Sequence, residues 1–320
     1  MSVHLPTLKQ LQYLVALHTH GHFGRAAEAC FVTQSTLSAG IKELETLIGV
    51  TLVERTRRVV RFSPLGLRVA EKARRILRET EDLTDMVRAS GKPLAGELRL
   101  GVIPTIAPFL LPALLPRLRA QWPDLKLFLR EETSAAACKA LHRGALDCVL
   151  LALPYACGEV DGAELFEDHF LVAFPPGAAD KMPDKVKPAA IDETKLLLLE
   201  DGHCLKDHVL SACNRPELRA EAAILGTSLH TLVQMVDNGL GVTFVPEMAL
   251  EAGILSGTAV DARPLRSDNP YRRIALIWRR SSPREGEFQM LAATLRRIAG
   301  SLTAKAVPAE AMPALQLIDS

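Results

Sequence analysis

Cys204 and Cys213 stand nine residues apart in the segment Leu199-Glu-Asp-Gly-His-Cys204-Leu-Lys-Asp-His-Val-Leu-Ser-Ala-Cys213. They are the side chains of this 320-residue chain best suited to chemistry. A cysteine reacts as its thiolate, and a free thiol with a pKa near ~8.5 is mostly protonated at neutral pH. Cys204 therefore needs positive charge or hydrogen-bond donors beside it, and His203, Lys206 and Arg272 are the candidates. Taken alone, two cysteines at this spacing are more often two buried thiols than a working pair. The other four, Cys30, Cys138, Cys148 and Cys157, read as buried small hydrophobes. The chain has no CxxC pair and no Cys/His cluster with zinc-finger spacing. Neither a disulfide framework nor a metal site is expected, and no cofactor.

A second set of residues could grip a polyanion. In Thr33-Gln-Ser-Thr-Leu-Ser-Ala-Gly-Ile-Lys-Glu-Leu-Glu45, Leu37, Ile41 and Leu44 recur at helical spacing, and Thr33 is placed to cap the helix. Gln34, Ser35, Ser38 and Lys42 fall together on another face, where they could reach base edges and phosphates in a major groove. Phe23–Cys30 reads as a short helix just before it, so the two make a helix-turn-helix. Leu52–Pro64 reads as a short hairpin, a wing carrying Arg55, Arg57, Arg58 and Arg61 toward backbone phosphates. A small helical bundle with a solvated polar face would produce much the same pattern.

Charge and segment order supply the frame for both sets. Residues 1–92 carry 14 Lys+Arg against 9 Asp+Glu and the remainder 24 against 28, so a net +5 precedes a net −4. A basic end before a larger, slightly acidic part suits contact with nucleic acid. The length suits two domains or three, and 48% hydrophobic with 23% charged residues excludes wholesale disorder. No run of ~18 apolar residues predicts a membrane span, and the N-terminus lacks signal-peptide character, which points to the cytoplasm. After Gly66 a helical stretch runs to about Ala89, with Val69, Ala73, Ile76, Thr80, Leu83 and Val87 as a seam for a twin helix. From Glu97 strands alternate with helices, which predicts a parallel sheet with helices on its faces.

The residues Phe23, Ala26-Ala27, Thr33-Gln-Ser35, Leu37-Ser38, Ile41, Leu44-Glu45, Gly49, Leu52, Glu54-Arg55 and Ser63-Pro64-Leu65-Gly66 together resemble the DNA-binding domain of LysR-type transcriptional regulators. Val53 departs from a family position usually held by Phe. Gly202-His203-Cys204 with Cys213, Gly101-Val-Ile-Pro-Thr105 and Tyr271-Arg-Arg-Ile274 resemble the OxyR-type hydrogen peroxide sensors within that family.

The resemblance implies an α/β chain in three parts. These are a winged helix-turn-helix at 1–66, a dimerising linker helix at 67–92 and a two-lobed, periplasmic-binding-protein-like regulatory domain at 93–302, with a tail at 303–320. Lobe I would take 93–166 and 270–300, and lobe II 167–268. It implies Cys204 as the peroxidatic and Cys213 as the resolving cysteine, with Thr105, Ser134, His203 and Arg272 binding peroxide. Thr105 and Arg272 are expected to act on peroxide and not on the fold. Were 204–213 helical, nine steps of ~1.5 Å would separate the Cα atoms by roughly 13 Å. A disulfide needs them within ~7 Å, so bonding would demand local refolding. The implied partners are operator DNA, hydrogen peroxide, a second or further copies of the chain as homodimer or homotetramer, RNA polymerase and a thiol reductant of the glutaredoxin or thioredoxin class. Two other readings stay open: a LysR-type regulator with a small organic ligand between the lobes, and a thiol peroxidase.

Overall fold

Caps and apolar stripes set the first helices. The computed structural model describes residues 5–55, 60–89, 92–214, 224–268 and 270–302. The chain divides into two units, 1–88 and 89–320. In the first, α1 (Leu8–His20) opens on a capping box in which the Thr7 hydroxyl accepts the Gln10 N–H and the Gln10 side chain accepts the Thr7 N–H. It stops at Gly21, whose φ of +59° suits a residue without Cβ. α2 (Phe23–Ala29) and α3 (Gln34–Ile48) follow, α3 capped by the Thr33 hydroxyl and closed by Gly49. Leu11, Leu14 and Leu17 of α1, Ala26 and Ala27 of α2, and Leu37, Ile41 and Leu44 of α3 form the core.

The hairpin β1 (Val53–Arg55) and β2 (Val60–Phe62) pairs antiparallel, Glu54 opposite Arg61. The Glu45 carboxylate anchors its base by accepting the Leu52 and Val53 N–H groups at 2.8 and 3.0 Å. α4 (Pro64–Ala89) follows at once. Gly66 is required there: a Cβ would stand 2.1 Å from the Leu52 carbonyl oxygen. Val69 and Ala73, read above as part of a seam for a partner helix, instead pack on this unit's own core. The reason is that α4 begins as the lid of the winged helix. Ile76 at 40% and Leu83 at 61% exposure keep an open apolar stripe farther along, while the Val87 side chain lies outside the described residues.

In the second unit β3 (Gly96–Val102), α5 (Ala107–Gln121), β4 (Leu125–Glu131), α6 (Ser134–His142) and β5 (Cys148–Leu153) alternate, and β4, β3 and β5 pair in parallel. The fifteen-residue strand β6 (Val160–Phe174) and β11 (Tyr271–Arg279) then run antiparallel to each other, and β11 also pairs β5. Past His169, β6 changes neighbours and pairs β9 (Thr243–Pro246) and β10 (Asp261–Pro264). One strand thus serves both lobes. The second lobe adds β7 (Leu197–Leu199), α7 (Cys204–Ala212), β8 (Ile224–Gly226), α8 (Leu229–Asp237) and α9 (Glu247–Glu251), and α10 (Glu285–Leu302) returns to the first. All six residues of β5 are buried, so this strand runs through the apolar core of the unit.

Candidate functional site

Cys204 is the first residue of α7, and Gly202, with φ +102°, bends the chain into it. The thiol is buried at 3% exposure. Burial pushes its pKa up. The Ser134 hydroxyl, the Arg272 charge and the Ala152 backbone N–H work against that by favouring the thiolate, while Asp207 adds to it. Burial outweighs them, and the net shift of the Cys204 thiol is upward. Of the three expected cations, Arg272 is the one that acts on it. Lys206 is instead paired with Asp201 at 3.0 Å, and burial holds the flanking His203 below the ordinary imidazole range.

Arg272 is placed by pairing. β11 sets it directly opposite Asp168 of β6, and both side chains are without exposure. Its Nε and Nη2 each donate to Asp168 Oδ2 at 2.9 Å. Nη1 donates to Thr105 Oγ1 at 2.7 Å and Nη2 to the Thr105 carbonyl at 2.9 Å. Asp168 Oδ1 also accepts the Met248 N–H at 3.0 Å. The guanidinium therefore does structural work, tying Thr105 of the first lobe to the strand that serves both. Asp168 was missed in the sequence: an Asp within a strand pattern has no signal until the residue opposite it is known.

Ser134 opens α6, so the helix directs its hydroxyl at Cys204. Oγ is buried and, apart from facing the sulfur, closes no hydrogen bond. A buried hydroxyl with no partner of its own is a place for a small polar molecule. Cys213 caps the far end of α7, buried, its pKa pushed up to about 12 by burial. Both are free thiols at opposite ends of a nine-residue helix. Cys138 and Cys157, read above as separate buried thiols, are joined in a disulfide with Cα atoms 5.5 Å apart. β5 carries the chain back along α6, and the loop beyond it brings Cys157 over the helix. Cys148 is buried and Cys30 only half-buried.

At the N-cap of α3 and along it, Thr33, Gln34, Ser35 and Lys42 are exposed and Ser38 is half-buried. The Thr33 hydroxyl is engaged with Ser35 and Thr36 at 2.9 and 2.8 Å, so it orders the helix start. The Arg55 backbone lies in β1, and the side chain of Arg55 with all of Arg57 and Arg58 lies outside the described residues. Among the described residues no group of His, Cys, Asp and Glu is placed to hold a metal ion, and no helix is long and apolar enough to cross a membrane.

Residues 8–67 match the bacterial regulatory helix-turn-helix protein, lysR family, and residues 91–299 match the LysR substrate binding domain. The chain belongs to the LysR family. It is a DNA-binding regulator of transcription and not an enzyme. The HTH-type transcriptional regulator EstR of Acinetobacter baylyi is 42% identical over 302 residues, 93% of this chain and 99% of that one. The hydrogen peroxide-inducible genes activator of Dickeya chrysanthemi is 37% identical over 290 residues, 90% and 94% of the two chains. Among solved structures, a full-length OxyR variant from Pseudomonas aeruginosa superposes with a TM-score of 0.75 at 33% identity, covering 91% of this chain and 98% of that one.

Proposed function

We propose that this LysR-family regulator senses hydrogen peroxide through Cys204, with Cys213 as the resolving thiol, and alters its hold on operator DNA in response. The observation that carries the reading is the buried Cys204 facing both the Arg272 charge and the unpartnered Ser134 hydroxyl. A peroxide molecule there would accept from and donate to the Ser134 hydroxyl, which otherwise has only the sulfur to meet, within the field of the Arg272 charge that Asp168 and Thr105 hold in place. Ser134, Arg272 and the Ala152 N–H favour negative charge as it develops on sulfur, which lowers the barrier even though the resting group is a thiol. The Cys204 sulfur attacks one peroxide oxygen and the O–O bond breaks. The other oxygen leaves with the thiol proton as water, giving a sulfenic acid. The Cys213 thiol then displaces water from that sulfur, and the disulfide forms. Bringing the two ends of α7 together unwinds it, since about 13 Å must close to about 7 Å or less. That rearranges the lobe and is the switch.

DNA is held by Gln34, Ser35, Ser38 and Lys42 from α3, with Thr33 ordering its start and Arg55, Arg57 and Arg58 on the wing. The chain acts as a homodimer or homotetramer through the open stripe of α4, works with RNA polymerase in the cytoplasm, and is reset by a glutaredoxin- or thioredoxin-class reductant. The likeness to peroxide-inducible activators and OxyR structures supports this reading. A second reading has a small organic ligand between the lobes, with the cysteines incidental; the relative at 42% identity, EstR, is named as a transcriptional regulator and not as a peroxide-inducible activator. Footprinting of the purified protein on its operator decides. The first reading expects peroxide to change the protected region in the wild type and not in Cys204→Ser. An unchanged footprint, or an equal change in both proteins, rejects it.

A further inference from the structure

A second pair of cysteines lies against the first site. Cys138 and Cys157 are bonded to each other in the same structure in which Cys204 and Cys213 are free thiols. The two elements that this bond joins are also two that meet Cys204. One is α6, which bears Cys138 one turn after Ser134. The other is β5 with its following loop. β5 offers the Ala152 N–H to the Cys204 sulfur, and in the loop the Pro154 carbonyl accepts from His208 Nε2 of α7 at 2.8 Å. His142, one turn beyond Cys138, holds the Cys157 carbonyl.

We propose that Cys138 and Cys157 are an accessory redox couple, a disulfide that forms while the sensor thiols stay reduced and sets the reactivity of Cys204 by fixing α6 and the 154–157 loop against it. Disulfides inside cells are uncommon and, where they occur, are usually redox-responsive. The oxidant class is a low-molecular-weight disulfide. One cysteine thiolate displaces a small thiol from it to give a mixed disulfide, and the second thiolate attacks the protein sulfur of that bond and releases the other small thiol. Two protein thiols lose two electrons and two protons, and one external disulfide becomes two thiols. Staple and sensor are separable because their bonds are made by different sulfurs, yet coupled because they share α6 and β5. The proposal does not need peroxide to be the signal, since alkylation reads the Cys204 thiol directly.

The test uses the full chain equilibrated over a series of reduced-to-oxidised glutathione ratios. At each ratio the Cys138–Cys157 link is quantified by peptide mapping, and the rate of Cys204 alkylation by iodoacetamide is measured by mass spectrometry. The link should appear at ratios that leave Cys204 and Cys213 alkylatable. The Cys204 rate should change by about threefold, the effect of half a pH unit in a thiol's titration midpoint, in step with the linked fraction. The Cys138→Ala/Cys157→Ala protein should hold the unlinked rate at every ratio, and the wild-type titration carries the test by itself if that variant does not fold. Absence of the link at every ratio overturns the proposal, as does a Cys204 rate that ignores it. A protein that passes this test but whose Cys204 does not react with peroxide would sink the peroxide reading alone.

Discussion

Replacing Arg272 with Ala removes the guanidinium from a pair with no solvent access on either side. The 2.9 Å contacts to Asp168 are lost with both contacts to Thr105, and the Asp168 carboxylate keeps only the Met248 N–H. Removing one partner of a buried ion pair costs about 3–5 kcal/mol, because the other charge stays behind in a medium that solvates it poorly. That is a large part of the ~5–15 kcal/mol that holds a typical domain together. Arg272 therefore supports the fold as well as the thiol, against the expectation that it acts on peroxide alone. Urea unfolding followed by tryptophan fluorescence measures this cleanly, because the only two tryptophans, Trp122 and Trp278, both lie in the regulatory unit. The control is Arg272→Met/Asp168→Leu, which removes both charges and fills the space with apolar atoms. It should lose far less than Arg272→Ala, since a desolvated pair replaced by hydrophobes is often neutral. A loss below about 1 kcal/mol for Arg272→Ala, or a double variant no better than the single, would refute the view that burial makes this pair costly to break.

Other outcomes follow from the same geometry. Gln34→Ala should weaken binding to the operator by about 1–3 kcal/mol while leaving non-specific DNA binding nearly unchanged, and equal losses on both in a competition assay would remove α3 as the base reader. Ile76→Asp puts a charge into the open stripe of α4, and sedimentation should then show loss of dimers. His208 has its pKa lowered from 6.5 to about 4, chiefly by burial. Its folded value lies below its unfolded one, so the unfolded chain takes up the proton first. The contribution of His208 is fully present above about pH 6.5, and up to about 3 kcal/mol of it is lost as pH falls toward 4. His208→Gln keeps a donor for Pro154 and should flatten that acid slope in urea titrations, whereas an unchanged slope would assign it to other groups.

The helix-turn-helix is plain in the sequence because its signals are local: Thr33 and Gly49 bracket α3, and Leu37, Ile41 and Leu44 repeat at helical spacing. Cys204 and Cys213 also sit on one short segment, but only the resemblance carried by Gly202-His203-Cys204 marks them as a pair, since both are free thiols in the structure. What escapes the sequence is non-local. β6 is fifteen residues long, yet Asp161, Glu164, Glu167 and Asp168 break its apolar alternation and only Leu171–Phe174 reads as strand. Asp168 tolerates burial because Arg272, 104 residues later, is brought opposite it. Cys138 and Cys157 meet only through the return of β5 along α6, so nothing in their spacing marks them as a pair. Lys206 has a sequence position suited to serve Cys204, but Asp201 claims its charge first.

On the proposed mechanism Cys204 is oxidised first and is then bonded to Cys213 by unwinding α7. The most direct measurement of this is peptide mapping of the reduced full-length protein after one equivalent of hydrogen peroxide, with remaining thiols alkylated. A new cross-link between Cys204 and Cys213 is expected in the wild type, and in Cys213→Ser a sulfenic acid at Cys204 that further peroxide carries to sulfinic acid. Cys204 recovered fully alkylated after that treatment, while the protein still answered peroxide on DNA, would contradict the mechanism.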